Sequence, residues 1–389
     1  MITKNTVSDK IYDFLVKMFD SPQRNQLANQ IAAESGLDIR TVFGLSDIIN
    51  NNGCADEGID GLIFEMIDPD FYTFEKVVEL AAMGLEGLIP TSFYEDEEFL
   101  KETKIHSLPN NFAKGNANLV NFHVCDEITR IGAHAFDGAV NLRKVDFPEN
   151  CNISFGKAAF KDCINLTKFI LESGKVNVSD EMFKDCINLE IFKASVVGDI
   201  GKSAFSGCLK LQTVSASLES YNETIKESAF DNCSILGTIE IDHLKVIGKN
   251  AFRDCFALTH VALDEVVSLG EGAFRNSGLK HIELSKDLCE IPDNCFCSCV
   301  DLEQIFFYEG YGIDTIGKDA FFGCSGLKLI TGMMYDHEFY KTDGIEELTQ
   351  NITVDQESDH LSLTCDVEFK KHLDKDLMVL VIGGKNREE

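Results

Sequence analysis

Fourteen cysteines and nine histidines are the side chains of this 389-residue chain with the most chemistry available to them. Four cysteines lie close together, Cys289, Cys295, Cys297 and Cys299. Tetrahedral zinc needs four converging Cys or His ligands, so this cluster is the first candidate for a metal centre. Seven of the fourteen, Cys163, Cys186, Cys208, Cys233, Cys255, Cys299 and Cys324, each stand three residues after a phenylalanine. A regular column of this kind reads as a disulfide ladder, a metal array or a file of small buried thiols. The segment Asp56-Glu57-Gly58-Ile59-Asp60-Gly61 has the look of a calcium loop, but position 12 from Asp56 is Ile67 where a bidentate Glu is required. No GxSxG, Walker A, strand-following GxGxxG or HExxH sequence occurs, which argues against the common enzyme classes.

The cysteine column has a frame that explains it. Aligning on phenylalanine gives ten positions, Phe112, Phe136, Phe160, Phe183, Phe205, Phe230, Phe252, Phe274, Phe296 and Phe321, at intervals of 22 to 25 residues. Ile-Gly or Leu-Gly precedes many of them, as at Ile131-Gly132, Ile200-Gly201, Ile247-Gly248, Leu269-Gly270 and Ile316-Gly317. After the phenylalanine comes Cys, then Leu, then a short apolar alternation such as Leu258-x-x-Val261-x-Leu263, the period of a strand. Ala, Phe and Cys are expected to point inward on about one helical turn, with Gly248 permitting the turn before it. The eighth copy is one residue shorter and has Ser277 in the cysteine position, a deletion the loop Asn276-Ser277-Gly278 can absorb. One unit cannot cover its own apolar side, so the units must stack into a solenoid with a continuous core.

In that frame most of the zinc cluster dissolves. Cys295 takes the Ala position and Cys299 the usual Cys position, both inward, while Cys297 is expected on the other side of the turn. Ala139 and Gly115 fall in the cysteine column, which a required disulfide or metal ligand would not tolerate. Packing is therefore the expected role of the column, and neither a metal nor a cofactor is expected.

The pattern I-G-x-x-A-F-x-x-C-x-x-L-x-x-(I/V) resembles the BspA-like leucine-rich repeat family over roughly residues 105–331. The resemblance implies an α/β repeat fold, a right-handed solenoid with a parallel sheet on its concave side. It also implies a surface or host-interaction protein that binds other proteins and has no catalytic repeat residue. Three parts are expected: an acidic helical N-terminal domain (1–100), a solenoid of about ten units (101–331), and a β-containing C-terminal cap with a charged tail (332–389).

The residues two and four places after each repeat leucine should face outward from the concave sheet. They form two columns that include Lys144, Lys168, Ile191, His260, His281 and Leu329 in the first, and Ile170, Lys193 and Phe306 in the second. The columns together hold three Lys and three acidic residues. The whole chain carries −30, with 6 basic and 19 acidic residues in 1–100, 23 and 32 in 101–331, and 6 and 14 in 332–389. Acidic excess has been kept off this face. Exposed Ile170 and Ile191 beside Lys168 and Lys193, with His260, His281, Phe306 and Leu329 further along, are what a protein interface needs. His260 and His281 would be neighbours, in solvent.

Helical spacing runs through Ile11, Phe14, Leu15 and Met18, then Leu27 and Ile31 to Ala33, and again over Phe74 to Leu88. Residues 27–42 resemble a helix-turn-helix with Gly36 at the turn. Its second helix offers Arg40 alone where DNA recognition needs several cations, in a strongly acidic setting that disfavours nucleic acid. A cap or partner-docking domain is expected instead, followed by a solvated acidic junction at Glu95–Glu98. At the other end, Leu361 to Val367 and Leu377 to Ile382 alternate like strands and would cover the last repeat.

The start of the sequence has no basic-then-apolar leader and no window of about 18 apolar residues follows anywhere. Many cysteines without a leader point to reduced thiols in a cytosol-like compartment, with part of a virion or non-classical export as the alternatives. The expected function is non-enzymatic protein binding, adhesin- or scaffold-like. A rigid spacer in a virion or cell-envelope layer is the alternative.

Overall fold

The computed structural model describes residues 11, 13–18, 21–52, 66, 71–82, 88–219, 224–241, 243–307, 315–326, 329–331, 350–354 and 362–367. The Asp56–Gly61 motif and the Leu377–Ile382 alternation lie outside these. The chain divides into two compact units, 1–166 and 167–389.

The first unit begins with helices. Residues 11 and 13–18 are helical and bury Ile11, Leu15 and Met18. Arg24–Ser35 (α1) buries Ala28, Ile31 and Ala32 and ends at Gly36, whose φ of 78° suits the left-handed cap that glycine adopts without strain. Ile39–Asn52 (α2) follows, then Phe74–Ala82 (α3), which accounts for the first part of the Phe74–Leu88 pattern. The acidic junction has a definite structure. The Asp96 carboxylate accepts from the N–H groups of Glu98 (2.9 Å) and Phe99 (3.1 Å) and so caps Glu97–Thr103 (α4), with Glu97 and Glu98 in its first turn.

Strands Ser107–Leu108 (β1), Asn121–His123 (β2), Arg130–Ile131 (β3), Lys144–Asp146 (β4) and Ser154–Phe155 (β5) then wind in two parallel ladders. The short strands pair β1–β3–β5 and the longer ones β2–β4. Rings stack between the turns, with Phe136 and Phe160 5.1 Å apart and 2° from parallel.

In the first turn the register differs from the phenylalanine alignment by one residue. Ala113 N–H donates to Ala135 O and Gly115 N–H to Asp137 O, as Phe136 N–H does to Ala159 O and Gly138 N–H to Lys161 O one turn later. Ala113 therefore holds the Phe position, Gly115 matches Gly138, and Asn116, not Gly115, stands in the cysteine column. The inverted order Phe112-Ala113 sends the larger ring toward the helices, because this turn has no preceding phenylalanine ring to stack on. Phe112 packs edge-on against Tyr94 at 5.0 Å, and the buried Arg40 guanidinium lies 4.8 Å over Tyr94 and 5.1 Å over Phe112. Asn29 on α1 donates to Gly115 O (2.9 Å) and accepts from Ala117 N–H (3.2 Å), satisfying backbone groups at this end of the ladder.

The second unit continues the same alternation. Its strands are Lys168–Val178 (β6), Ile191–Ile200 (β7), Thr213–Glu219 (β8), Thr224–Ile225 (β9), Thr238–Ile241 (β10), Val246–Ile247 (β11), Ser268–Leu269 (β12), His281–Leu284 (β13), Glu290–Ile291 (β14), Gln304–Phe307 (β15), Thr315–Ile316 (β16) and Leu329–Thr331 (β17), followed by Gln350–Val354 (β18) and Ser362–Val367 (β19). The longer strands pair in parallel as β6–β7–β8–β10 and β13–β15–β17. The short ones pair as β9–β11–β12 and β14–β16. An antiparallel β18–β19 hairpin closes the last ladder on β17, in the Leu361–Val367 stretch where the sequence alternates.

Within a turn the Ala-Phe-x-x-Cys segment is not helical. Two left-handed residues bracket the phenylalanine, Asn250 (φ 53°) and Asp254 (φ 61°) around Phe252 being typical. The bracket turns the chain while both Phe and Cys point inward. Glycine after the isoleucine has a different reason from the one its position suggested. A Cβ on Gly248 would lie 2.7 Å from Glu227 N and 2.8 Å from the Lys226 carbonyl carbon. It is the close approach of two backbones that excludes a side chain there.

Candidate functional site

The cysteine column does more than fill space. The thiols of Cys208, Cys233, Cys255, Cys299 and Cys324 each donate at 3.1 Å to the carbonyl of a phenylalanine one turn back: Phe183, Phe205, Phe230, Phe274 and Phe296. In the first unit Cys163 does the same to Phe136 O. Each of these buried carbonyls gains a further hydrogen bond, which lowers the cost of burying it. Burial pushes the Cys208, Cys233 and Cys255 thiols well up from their ordinary value, so they stay protonated donors, and does the same to Cys295. Ser277, which replaces cysteine in the short copy, lies 3.3 Å from Cys299 Sγ. Replacing Cys233 with alanine should cost about 1–2 kcal/mol in chemical denaturation. Cys233→Ser, which keeps a donor, should cost less. Equal losses for the two would mean that the thiol is only filler.

The cluster at Cys289, Cys295, Cys297 and Cys299 separates. Cys289 is exposed and the other three are buried. Cys297 is buried too, at the position after the repeat phenylalanine where other turns carry half-buried Lys161 and Arg253 and exposed Phe322. Among the described residues no group of three or more His, Cys, Asp or Glu side chains is arranged to hold a metal ion.

The outward columns take up the spacing read from the sequence. In the second unit Lys168 pairs with Ile191, Ile191 with Thr213 and Thr213 with Thr238, while Ile170 pairs with Lys193, Lys193 with Ser215 and Ser215 with Glu240. Alternation about these pairs is strict, with Phe169, Phe192 and Val214 buried between them. Ile170 is 38% exposed, Ile191 is half-buried, and Lys168 and Lys193 are exposed. Each lysine thus has an isoleucine on the neighbouring strand. Further along, His281 pairs with Gln304 and Gln304 with Leu329, while Glu283 pairs with Phe306, which is 36% exposed.

His260 is exposed but sits in no strand, in a stretch where the longer ladder is interrupted between β10 and β13. Lys144 belongs to the first unit, exposed on β4, where it pairs with Asp146 at 2.6 Å. The helix-turn-helix resemblance loses its one cation, because Arg40 is buried against Tyr94 and Phe112 instead of being presented on the α2 surface.

Sequence reading missed a second exposed feature. Ile187, Leu209, Ile235 and Phe256 are exposed in successive turns, just after the column cysteines. The signal was present as Cys-Ile, Cys-Leu, Cys-Ser-Ile and Cys-Phe, in positions that the repeat pattern leaves free.

The BspA type leucine rich repeat region matches in six copies over residues 106–237 and 223–338, more than half of the chain. The chain belongs to the BspA-type leucine-rich repeat family. Among solved structures, a leucine rich cell surface protein from Faecalibacterium prausnitzii A2-165 is 25% identical over 58% of this chain and 76% of its own, with a TM-score of 0.34. A leucine-rich repeat protein from Bacteroides ovatus ATCC 8483 is 20% identical over 58% and 69%, with a TM-score of 0.40. The pneumococcal vaccine antigen PcpA is 16% identical over 64% and 70%, with a TM-score of 0.39. No curated protein matches the chain. The BspA-type repeat is typical of surface or binding proteins, which are generally non-enzymatic and commonly take protein partners. No helix among the described residues is long and apolar enough to cross a membrane.

Proposed function

We propose that this BspA-type protein is a non-enzymatic, adhesin- or scaffold-like binding protein that docks a protein partner on the outward face of the β6–β7–β8 sheet. The observation that carries the reading is the alternation of Lys168 with Ile191 and Ile170 with Lys193 on paired strands, extended by Thr213 and Ser215. These two rows hold no carboxylate across β6, β7 and β8, in a chain with 65 acidic residues. Apolar groups rimmed by polar ones favour the desolvated centre and hydrated rim of a protein interface. His281, Phe306 and Leu329 extend the same face on β13, β15 and β17, and His260 is assigned a supporting contact; Lys144, on the first unit, is proposed as a separate contact.

In this reading residues 1–100 form the helical N-terminal part, 101–331 the repeats and 332–389 the C-terminal cap. The free thiols acting as donors suit a reducing, cytosol-like compartment. The test is affinity capture from the native source with the intact protein and with the variant Ile170→Glu/Ile191→Glu, whose fold is checked by circular dichroism. A partner bound by the first and lost by the second supports the sheet face. Unchanged capture would sink it and shift the role to that of a spacer in a larger assembly.

A further inference from the structure

One level of the second unit is tied less than its neighbours, and four departures from the repeat meet there. Among the described residues the longer ladder stops at β10 and restarts at β13, with no strand over residues 259–263 between them. Val261 and Leu263 are buried in that stretch, yet no backbone N–H from His260 to Leu263 donates to a carbonyl of the preceding turn. The short ladder is cut as well, since β12 pairs with β11 but not with β14.

Proline explains the second break. Elsewhere the residue after the isoleucine donates one turn back, as Gly201 N–H does to Val178 O (2.9 Å), Lys226 N–H to Ile200 O (2.9 Å) and Gly317 N–H to Ile291 O (2.6 Å). Pro292 stands in that position after Ile291 and has no N–H to give to Leu269 O. The thiol file is interrupted at the same level. Ser277 replaces the cysteine and lies 3.3 Å from Cys299 Sγ, one turn on, where a column cysteine would donate one turn back. Charge does not bridge the gap either. Lys202 pairs with Glu227 (2.8 Å) and Lys249 with Glu271 (2.6 Å) between equivalent positions of adjacent turns, but the position after Glu271 is held by Asp293. What remains is ring stacking and one bonded edge. Phe274 lies 5.3 Å from Phe252 and 5.5 Å from Phe296, and the N–H groups of Gly272, Phe274 and Asn276 donate to the carbonyls of Asp293, Cys295 and Cys297.

We propose that this seam is a hinge built into the repeats. The turns up to Leu269 and those from His281 onward swing about the phenylalanine-loop edge, which stays bonded, while the two interrupted ladders part. An opening that breaks few hydrogen bonds has a low free energy on the scale of local unfolding. A hinge needs only a few residues to absorb the change while the packed elements on either side move as bodies. The motion carries β13–β15–β17 relative to β6–β7–β8–β10, whether or not a partner docks on either sheet.

The test begins with hydrogen–deuterium exchange, read by mass spectrometry on the full-length protein. Peptides covering 278–291 should exchange about tenfold faster than the equivalent span two turns earlier, 233–247. Pro292→Ala supplies the missing N–H and should slow exchange over 278–291 by about threefold or more relative to 233–247. The ratio is the readout because removing proline also loosens the unfolded chain. Spin labels carried by non-natural amino acids at Lys168 and Gln304 should give a broad distance distribution in pulsed electron resonance, and a narrower one in Pro292→Ala. Pro292→Gly, with the residue most other turns use, is the second variant should alanine disturb folding. Exchange over 278–291 as slow as over 233–247, no response to the new N–H, or a single narrow distance in the parent would each overturn the hinge.

Discussion

Replacing Phe230 with alanine is expected to destabilise the second unit by about 3–5 kcal/mol, the usual cost of removing a fully buried aromatic ring. Phe230 is completely buried between two parallel rings, Phe205 at 5.0 Å and 3° and Phe252 at 5.2 Å and 2°. Each ring pair adds roughly 0.5–1.5 kcal/mol beyond the burial of area. The loss should also be local. Each turn of a solenoid contacts only its neighbours, so a weak turn uncouples the segments on either side. Urea denaturation should therefore show both a lower midpoint and a shallower or two-step transition. Phe230→Leu keeps most of the volume and should retain a single transition with a smaller loss, about 1 kcal/mol. A drop below about 1 kcal/mol for alanine would mean that the stack is not what holds the turns together.

The second large effect belongs to Gly248. Its N–H donates to Ile225 O at 2.7 Å, and the site of a Cβ is 2.7 Å from Glu227 N and 3.0 Å from Ile225 O. A methyl group there has no flexible side chain to displace, only backbone already tied into the ladder. Gly248→Ala should cost about 1–3 kcal/mol, as overpacking does, and Gly248→Val more. The companion measurement is Gly237→Ala in the same unit, where the nearest atom to an added Cβ is Ala257 O at 4.0 Å. That substitution should be neutral or slightly stabilising, because alanine restricts the unfolded chain without meeting anything in the folded one. Equal effects at the two positions in thermal denaturation would refute the close-approach explanation.

Much of this protein was legible in the order of residues alone. A period of 22 to 25 residues with a Phe and a Leu in each copy, and a Cys in most, can bury its apolar side only by stacking, so repetition itself dictated a solenoid. Strand alternation has a period of two, so counting from each leucine also placed Lys168 beside Ile191 and Ile170 beside Lys193. The acidic composition and the short, interrupted apolar runs spoke against nucleic acid and against a helical membrane span for the same elementary reasons.

What required the tertiary structure was everything that depends on a neighbouring turn. No spacing rule reveals that Cys233 Sγ meets Phe205 O, 28 residues away, and the thiol looks the same in sequence whether it donates or merely fills. The glycine after isoleucine suggested a turn, whereas the approach of a second backbone decided it. Phe112 was counted with the other repeat phenylalanines, but the first turn adjoins helices, and the position of Tyr94 and Arg40 moved the register by one residue. Arg40 shows the difference most directly. As a letter it was the one cation available to a DNA-reading helix, and in the fold it is buried over two aromatic rings, whose faces attract the guanidinium.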